Sequence, residues 1–390
     1  MSALNGFRVL ELAEGVAGEY CGKLLADFGA EVIKIEAPDG SPTRRLGPFA
    51  DGEPGPERSG LFAYLNTNKR SATLDLGNAN GVATLQRLLD RVDAVIDDHA
   101  PGWLTSAGLD PLQVGTTHPA LVLCAISPHG QDAPEERRHA TDLTVFHASG
   151  WGFHTPTGAD PARPPLNGAG RFLPSYEAGL DAALCIVAAL FEREQSARGR
   201  VIDIAMQQVL ASRADYVLAQ MVAGDMEAST SRTAFDLAGP AGIFRCADGY
   251  AYIWMSAPAH WDALRTLLGD PAWMQTFPER WLERACTPER VAECRKHLAA
   301  WLATQHKAQV AAEAQALGLT LVPVNDAEDL LASPQQAFRR YFVEVWHPVL
   351  GRMPYPGVPY RMSATPPRID RAAPVLGAHT QDVLAGGDAA

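Results

Sequence analysis

The sequence predicts an α/β fold: a layered architecture on a largely parallel sheet, followed by a small α+β domain and a closing segment that packs along another domain. Three observations carry that expectation. Short apolar runs alternate with helical patterns up to residue 205, a hairpin signal with helices follows beyond residue 233, and the closing segment is rich in proline and poor in strand signal. Residues 7–12 (FRVLEL) read as a buried strand, 14–18 as a Gly-containing turn, and 19–28 as a helix with Leu24, Leu25 and Phe28 on one face, stopped by Gly29. Residues 31–35 (EVIKI) form a second strand, which completes a β-α-β unit. Strands over 72–76, 93–96 and 121–126, with a helix over 80–89, continue a largely parallel sheet.

Residues 128–174 are rich in Gly, Pro, His and Arg, and carry Phe146, Trp151, Phe153 and Phe172; this composition suits a site-forming loop. Ser175 stands where an N-cap belongs, at the start of a long amphipathic helix whose Leu180, Leu184, Val187, Ala188 and Phe191 recur at helical spacing. A strand over 200–204 follows. A helical linker over 206–232 leads to a small domain over 233–335, in which Asp248-Gly249 turns a hairpin ahead of helices at 261–268, 290–304 and 307–317. Residues 336–390, Pro-rich and strand-poor, pack along another domain rather than forming their own.

Composition narrows the function. Of 390 residues, 47% are hydrophobic and 20% charged, which excludes a disordered, collagenous or coiled-coil chain. Lys plus Arg is 33 against 45 for Asp plus Glu, a balance of -12, so no nucleic-acid partner is expected. The absence of a long uncharged run and of a basic start followed by an apolar core argues for a cytoplasmic protein with no membrane partner. The six cysteines form no C-x-x-C pair and the eleven histidines no H-x-x-x-H helix, so free thiols and no metal site are expected.

Six segments in register then resemble one family. They are 6–36 (GFRVLELAEGVAGEYCGKLLADFGAEVIKIE), 65–76 (LNTNKRSATLDL), 93–109 (DAVIDDHAPGWLTSAGL), 178–203, 246–250 (CADGY) and 374–380 (PVLGAHT). Together they resemble the family III CoA-transferases, the group of formyl-CoA transferase, carnitine CoA-transferase and α-methylacyl-CoA racemase. The resemblance implies a large Rossmann-like domain built from both chain ends, 1–205 with 336–390, around the small domain, and subunits interlocked as a dimer. It also implies a CoA thioester as substrate rather than a tightly bound cofactor, and CoA contacts at the first turn, Val16 and Ala17, with Val16 in place of the glutamine of formyl-CoA transferase. Lys69 and Arg70, two cations beside a strand start, would pair an ADP phosphate. Asp98 and His99 fall beside the nucleotide, where the family usually has Asn-Phe.

The same resemblance exposes what has changed. Family III transferases use an aspartate at the head of the long helix, and aligning Asp-Tyr-x-Ala-Gly-Leu on Ser175-Tyr176-Glu177-Ala178-Gly179-Leu180 puts Ser175 in its place. A carboxylate exchanges reversibly through anhydride and thioester intermediates, whereas a serine ester is several kcal/mol more stable and would trap the enzyme. The racemase branch is also excluded, because its titrating positions read Thr141, Ser175 and Ala257. Glu177 and Asp142 remain as surrogate carboxylates, although Glu177 and Asp181 do not point where residue 175 points. The expectation is an aspartate-lacking subunit of a heteromeric CoA-transferase paired with a paralogous family III chain, as in succinyl-CoA:(R)-benzylsuccinate CoA-transferase. Its rivals are a non-catalytic CoA-binding or regulatory scaffold, and an active homodimer using a surrogate carboxylate.

Overall fold

The computed structural model describes residues 2–154, 170–214, 222 and 240–385. The chain divides into two compact units, one of residues 1–228 with 339–390, the other Ser229–Phe338. In chain order, the large unit contains β1 (Arg8–Glu11), α1 (Val16–Asp27), β2 (Glu31–Glu36), α2 (Gly60–Leu65), β3 (Arg70–Thr73), α3 (Ala79–Leu89), β4 (Ala94–Asp97), α4 (Trp103–Ser106), β5 (Val122–Ser127), α5 (Asp142–Ala148), α6 (Leu173–Ser196), β6 (Val201–Ala205) and α7 (Met206–Ala211). The strands form a six-stranded sheet in the order β3-β2-β1-β4-β5-β6, and every neighbouring pair is parallel.

Such a sheet is buried on both faces, which is why its strands read as nearly unbroken apolar runs. On one face α1 and α6 pack together, with Ala178, Ala182, Ala183 and Ile186 of α6 buried in the same cluster as Ala17, Cys21 and Leu25 of α1. The approach is close because Gly179 has no side chain: a Cβ there would lie 2.5 Å from the Ala17 carbonyl oxygen. The other face is covered by α3 and the 103–114 segment, with Leu85, Leu88, Leu104 and Leu109 against Leu10, Ile33 and Val95.

The α6 face differs from its predicted role. Leu184 is 66% exposed and Phe191 71%, and Leu180 and Val187 are also exposed, so the stripe read from helical spacing faces outward. The helix is apolar nearly all round, and its small residues claim the core because they let α1 come near. A helix of this length and apolarity could in principle cross a bilayer, but half of it is buried as a core element.

The chain end laces onto the outer edge of the sheet. Thr73 N–H donates to Thr380 Oγ1 at 3.0 Å, Gly377 N–H to Ser71 Oγ at 2.9 Å, and Asp370 N–H to Asn68 Oδ1 at 2.9 Å. Residues beyond 340 are not strand-poor, as expected from their prolines, for β10 (Phe342–His347) and β11 (Gly351–Pro356) pair antiparallel. Both are edges of a two-stranded sheet, where Pro354 and Pro356 can be tolerated. His347 Nδ1 accepts the Val349 and Leu350 N–H groups in the intervening turn.

The smaller unit carries the antiparallel sheet β7 (Gly242–Cys246), β8 (Gly249–Trp254) and β9 (Thr320–Val324), with β8 central. Its core is built around Trp261, Trp281, Leu264 and Leu298. The strand β9 is absent from the sequence reading, which stopped at the preceding helix. The predicted boundary around 227–232 lies outside the described residues, as do 155–169 of the aromatic loop.

Candidate functional site

In an open parallel sheet, ligands bind outside the carboxyl ends of the strands where the strand order reverses. Here that point lies between β1 and β4, and a hollow of about 460 Å³ opens there. Glu14, Glu36, Asp75, His99 and Trp103 are among its lining residues. Beside it lies the amino end of α1, whose unpaired N–H groups and dipole attract an anion.

That anion site is filled from within. Asp98, just past β4, accepts the N–H of Glu14 at 2.9 Å, of Gly15 at 3.0 and 3.1 Å, and of Gly18 at 3.0 Å. The two glycines make room: a Cβ on Gly15 would lie 2.7 Å from Asp98 Oδ2, and one on Gly18 would meet Ala13 Cβ at 2.1 Å. Val16 and Ala17 are buried in the first turn of α1.

His99 spans the mouth of the hollow. Its Nδ1 lies 2.7 Å from Asp97 Oδ1 and its Nε2 3.6 Å from Glu14 Oε2. Burial alone would lower its pKa, but the hydrogen bonds with the two carboxylates outweigh burial and raise it to about 9, so the ring is an imidazolium at neutral pH. It stacks on Trp103 with centroids 3.6 Å apart. The four-residue spacing of His99 and Trp103, ahead of a short helix, was the available sequence signal for this pair.

Lys69 and Arg70, expected beside an ADP phosphate, are engaged within the protein. The Lys69 side chain is fully buried, with Nζ 2.7 Å from Glu11 Oε2, 2.7 Å from the Glu19 carbonyl oxygen and 2.9 Å from Asn66 Oδ1. Lys34 Nζ lies 2.9 Å from Glu19 Oε1 and 3.2 Å from Glu11 Oε1, which closes a buried network of two lysines and two glutamates. Gly22 leaves the space for it, since a Cβ there would sit 1.8 Å from Glu11 Oε2. Arg70 opens β3 at the amino end of the sheet, away from the crevice, and pairs with Glu31 at 2.7 Å. Both placements have one cause: an Asn-rich turn with two cations reads as surface, but here it packs under the returning chain end. Lysine and glutamate inside the strand patterns FRVLEL and EVIKIE were the sequence signal for buried pairing.

Glu36, at the end of β2, is also internally matched. Its carboxylate takes Arg44 Nε at 2.7 Å and Nη2 at 2.9 Å, with Ser41 and Ser71 completing the shell. Burial would raise its pKa, but the Arg44 hydrogen bonds prevail and hold it down at about 2.

The head of α6 lies along the first turns of α1, where Tyr176 meets Tyr20 edge-on at 4.8 Å. Phe172 is the N-cap, and Ser175 is the third helical residue rather than the cap itself. Its N–H donates to Asp142 Oδ1 and its hydroxyl to Asp142 Oδ2, each at 3.0 Å. Asp142 therefore satisfies the open helix end that Ser175 was expected to cap. Burial pushes the Asp142 carboxyl above its ordinary value, and the Ser175 donors work against that rise. Glu177 Oε2 lies 2.7 Å from Arg213 Nε, and Asp181 Oδ1 is 2.6 Å from Arg213 Nη2. Neither Asp142 nor Glu177 presents an unengaged carboxylate at the helix head. Thr141 caps α5, and Ala257 precedes the helix Pro258–Leu268 in the smaller unit. Trp151 Nε1 donates to the Leu210 carbonyl at 2.8 Å.

Comparison with known proteins fits this geometry. Over residues 4–380 the chain matches the family described as CoA-transferase family III. It is 29% identical over 388 residues to succinyl-CoA:(R)-benzylsuccinate CoA-transferase subunit BbsE of Thauera aromatica, covering 97% of this chain and 92% of that one. It is 32% identical over 384 residues to succinyl-CoA--D-citramalate CoA-transferase of Chloroflexus aurantiacus, covering 98% and 93%. A crystal structure of a CaiB/BaiF family protein from Brucella suis superimposes with a TM-score of 0.81 at 28% identity, covering 99% of this chain and all of the other. The chain belongs to CoA-transferase family III.

Proposed function

We propose that the chain is the subunit without a nucleophile in a heteromeric CoA-transferase. A related family III chain with an aspartate at the helix head would carry the acyl group between a CoA thioester and a carboxylic acid. The observation that carries this reading is the helix head itself. Ser175 stands at the nucleophile position, and its hydroxyl is held by the Asp142 carboxylate rather than by an imidazole that could activate it. The nearby carboxylates Glu177 and Asp181 are neutralised by Arg213.

A partner is supported by the outer stripe of α6. Leu180, Leu184, Val187 and Phe191 make a continuous apolar face beside the exposed edge strand β6, where Val201 is also exposed. Apolar surface of this kind gains free energy when covered. A second family III chain, interlocked with this one, is the occupant proposed, and one relative is itself named as a subunit. The relatives' names make succinyl-CoA the donor to test first.

The test is reconstitution. The purified chain alone should transfer no CoA from succinyl-CoA to a carboxylic acid, and co-expression with an aspartate-bearing family III chain should give an active complex. Hydroxylamine should then release acyl hydroxamate from the partner only. Turnover by the single chain, or acyl capture on this chain, overturns the proposal.

A further inference from the structure

We propose that the nucleotide crevice of this chain is closed to CoA by its own carboxylates, so that the heteromer holds CoA on the aspartate-bearing chain alone. This rests on the heteromeric reading above only for the count of CoA per complex.

The argument begins at the amino end of α1. The N–H groups of Glu14, Gly15 and Gly18, which in this fold face a diphosphate, are already donated to Asp98. A phosphate entering there must displace that carboxylate or lie against it. Among the described residues lining the hollow there is no Lys or Arg. Glu14 and Asp75 line the hollow, Asp97 and Asp98 stand behind it as partners of His99 and of the Glu14 N–H, and the imidazolium of His99 is shared between Asp97 and Glu14. Glu36 consumes the charge of Arg44, and Lys69 and Arg70 are paired elsewhere. These acids outnumber the one imidazolium, so the field at the crevice is negative, and it acts over a screening length of about 8 Å in physiological salt.

The shape of the crevice nonetheless survives. His99 stacked on Trp103 gives it a flat aromatic wall, suited to an uncharged ring. What this chain rejects is the phosphate, not the base.

Titration of the purified full chain with CoA, and with adenosine as a phosphate-free probe of the same hollow, tests the inference. CoA should fail to saturate at millimolar concentration and should bind no more tightly than adenosine. Any residual CoA binding should strengthen as salt is raised, because salt screens a repulsion, whereas a phosphate site built from cations weakens. Asp98→Asn combined with Glu14→Gln keeps side-chain oxygens as acceptors while removing both charges, and should improve CoA affinity by about tenfold or more. Because Asp98 also holds the head of α1, an independent measurement is the stoichiometry of CoA in the unaltered heteromer, expected to be one per pair of chains. Micromolar CoA binding by the unaltered chain, or two CoA molecules per pair, overturns the inference. Failure of the heteromer to assemble would instead count against the proposed function, and the single-chain titration would still decide the crevice.

Discussion

The hydroxyl and the backbone N–H of Ser175 both donate to the Asp142 carboxylate, at 3.0 Å each, so one side chain from α5 fastens the head of α6. Ser175→Ala removes one hydrogen bond and should cost about 1 kcal/mol, while Asp142→Ala leaves two polar groups of Ser175 unpaired and should cost about 2–3 kcal/mol. Urea unfolding midpoints at constant slope measure both. Ser175→Ala should leave the turnover of the heteromer within about twofold; a hundredfold loss, about 2.7 kcal/mol of transition-state stabilisation, would return Ser175 to the chemistry.

Gly22→Ala is expected to be among the most damaging small substitutions in the chain. The added Cβ would lie 1.8 Å from Glu11 Oε2, inside a network with no exposed side chain through which to relax. Overpacking costs about 1–3 kcal/mol, and displacing a buried carboxylate from its lysines adds to that. The result should be loss of soluble protein or a sharply lowered melting temperature. Gly6→Ala serves as the contrast, for no atom lies within 4 Å of a Cβ there. Its φ of 99° still carries backbone strain, so a modest cost of about 1 kcal/mol is expected.

Stability should fall on the alkaline side through His99. Its pKa rises from the ordinary 6.5 to about 9 on folding, so the stabilisation is fully present below pH 6.5 and is lost as pH climbs through 9. The side chain is only 17% exposed, and the shift corresponds to about 3 kcal/mol at most. Urea midpoints between pH 6 and about 9.5 should decline for the native chain, and the decline should shrink in His99→Phe. Equal slopes in the two proteins would remove the imidazolium from the account.

The outer face of α6 gives an assembly prediction. Leu184→Asp and Phe191→Asp should each change the stability of the isolated chain by about 0.5 kcal/mol or less, because both side chains already face solvent. The same substitutions should prevent co-purification with the aspartate-bearing partner, read as mass by light scattering. Undiminished assembly would place the partner on another face.

Much of the architecture was legible because parallel strands buried on both faces announce themselves as apolar runs. EVIKI and AVID fall where β2 and β4 lie, and the Asp-Gly turn fixes the hairpin of β7 and β8. Side-chain direction was harder to read. In α6, leucines at helical spacing outrank alanines on any hydrophobicity scale, yet the alanines and Gly179 are buried, because close approach of α1 matters more there than apolar area per residue. The burial of Lys69 was hidden for a related reason, since it depends on Glu11, far away in the sequence, and on a chain end that returns from residue 368 onward. The serine at the helix head could be read from one position of the resemblance. The filled anion site could not, because it depends on where the Asp98 carboxylate comes to rest.

The glycines of α1 bear on how this chain can vary. Gly15 and Gly18 accommodate Asp98, and Gly22 accommodates Glu11, so each small residue is tied to an acid on a neighbouring strand or loop. Substitutions at these places should travel in pairs. Among homologous sequences, a larger residue at position 22 should coincide with loss of the acid at position 11, and a larger residue at 15 with a shorter side chain at 98. Pairs 11/22 and 98/15 thus become covariation markers of how each relative disposes of its charge.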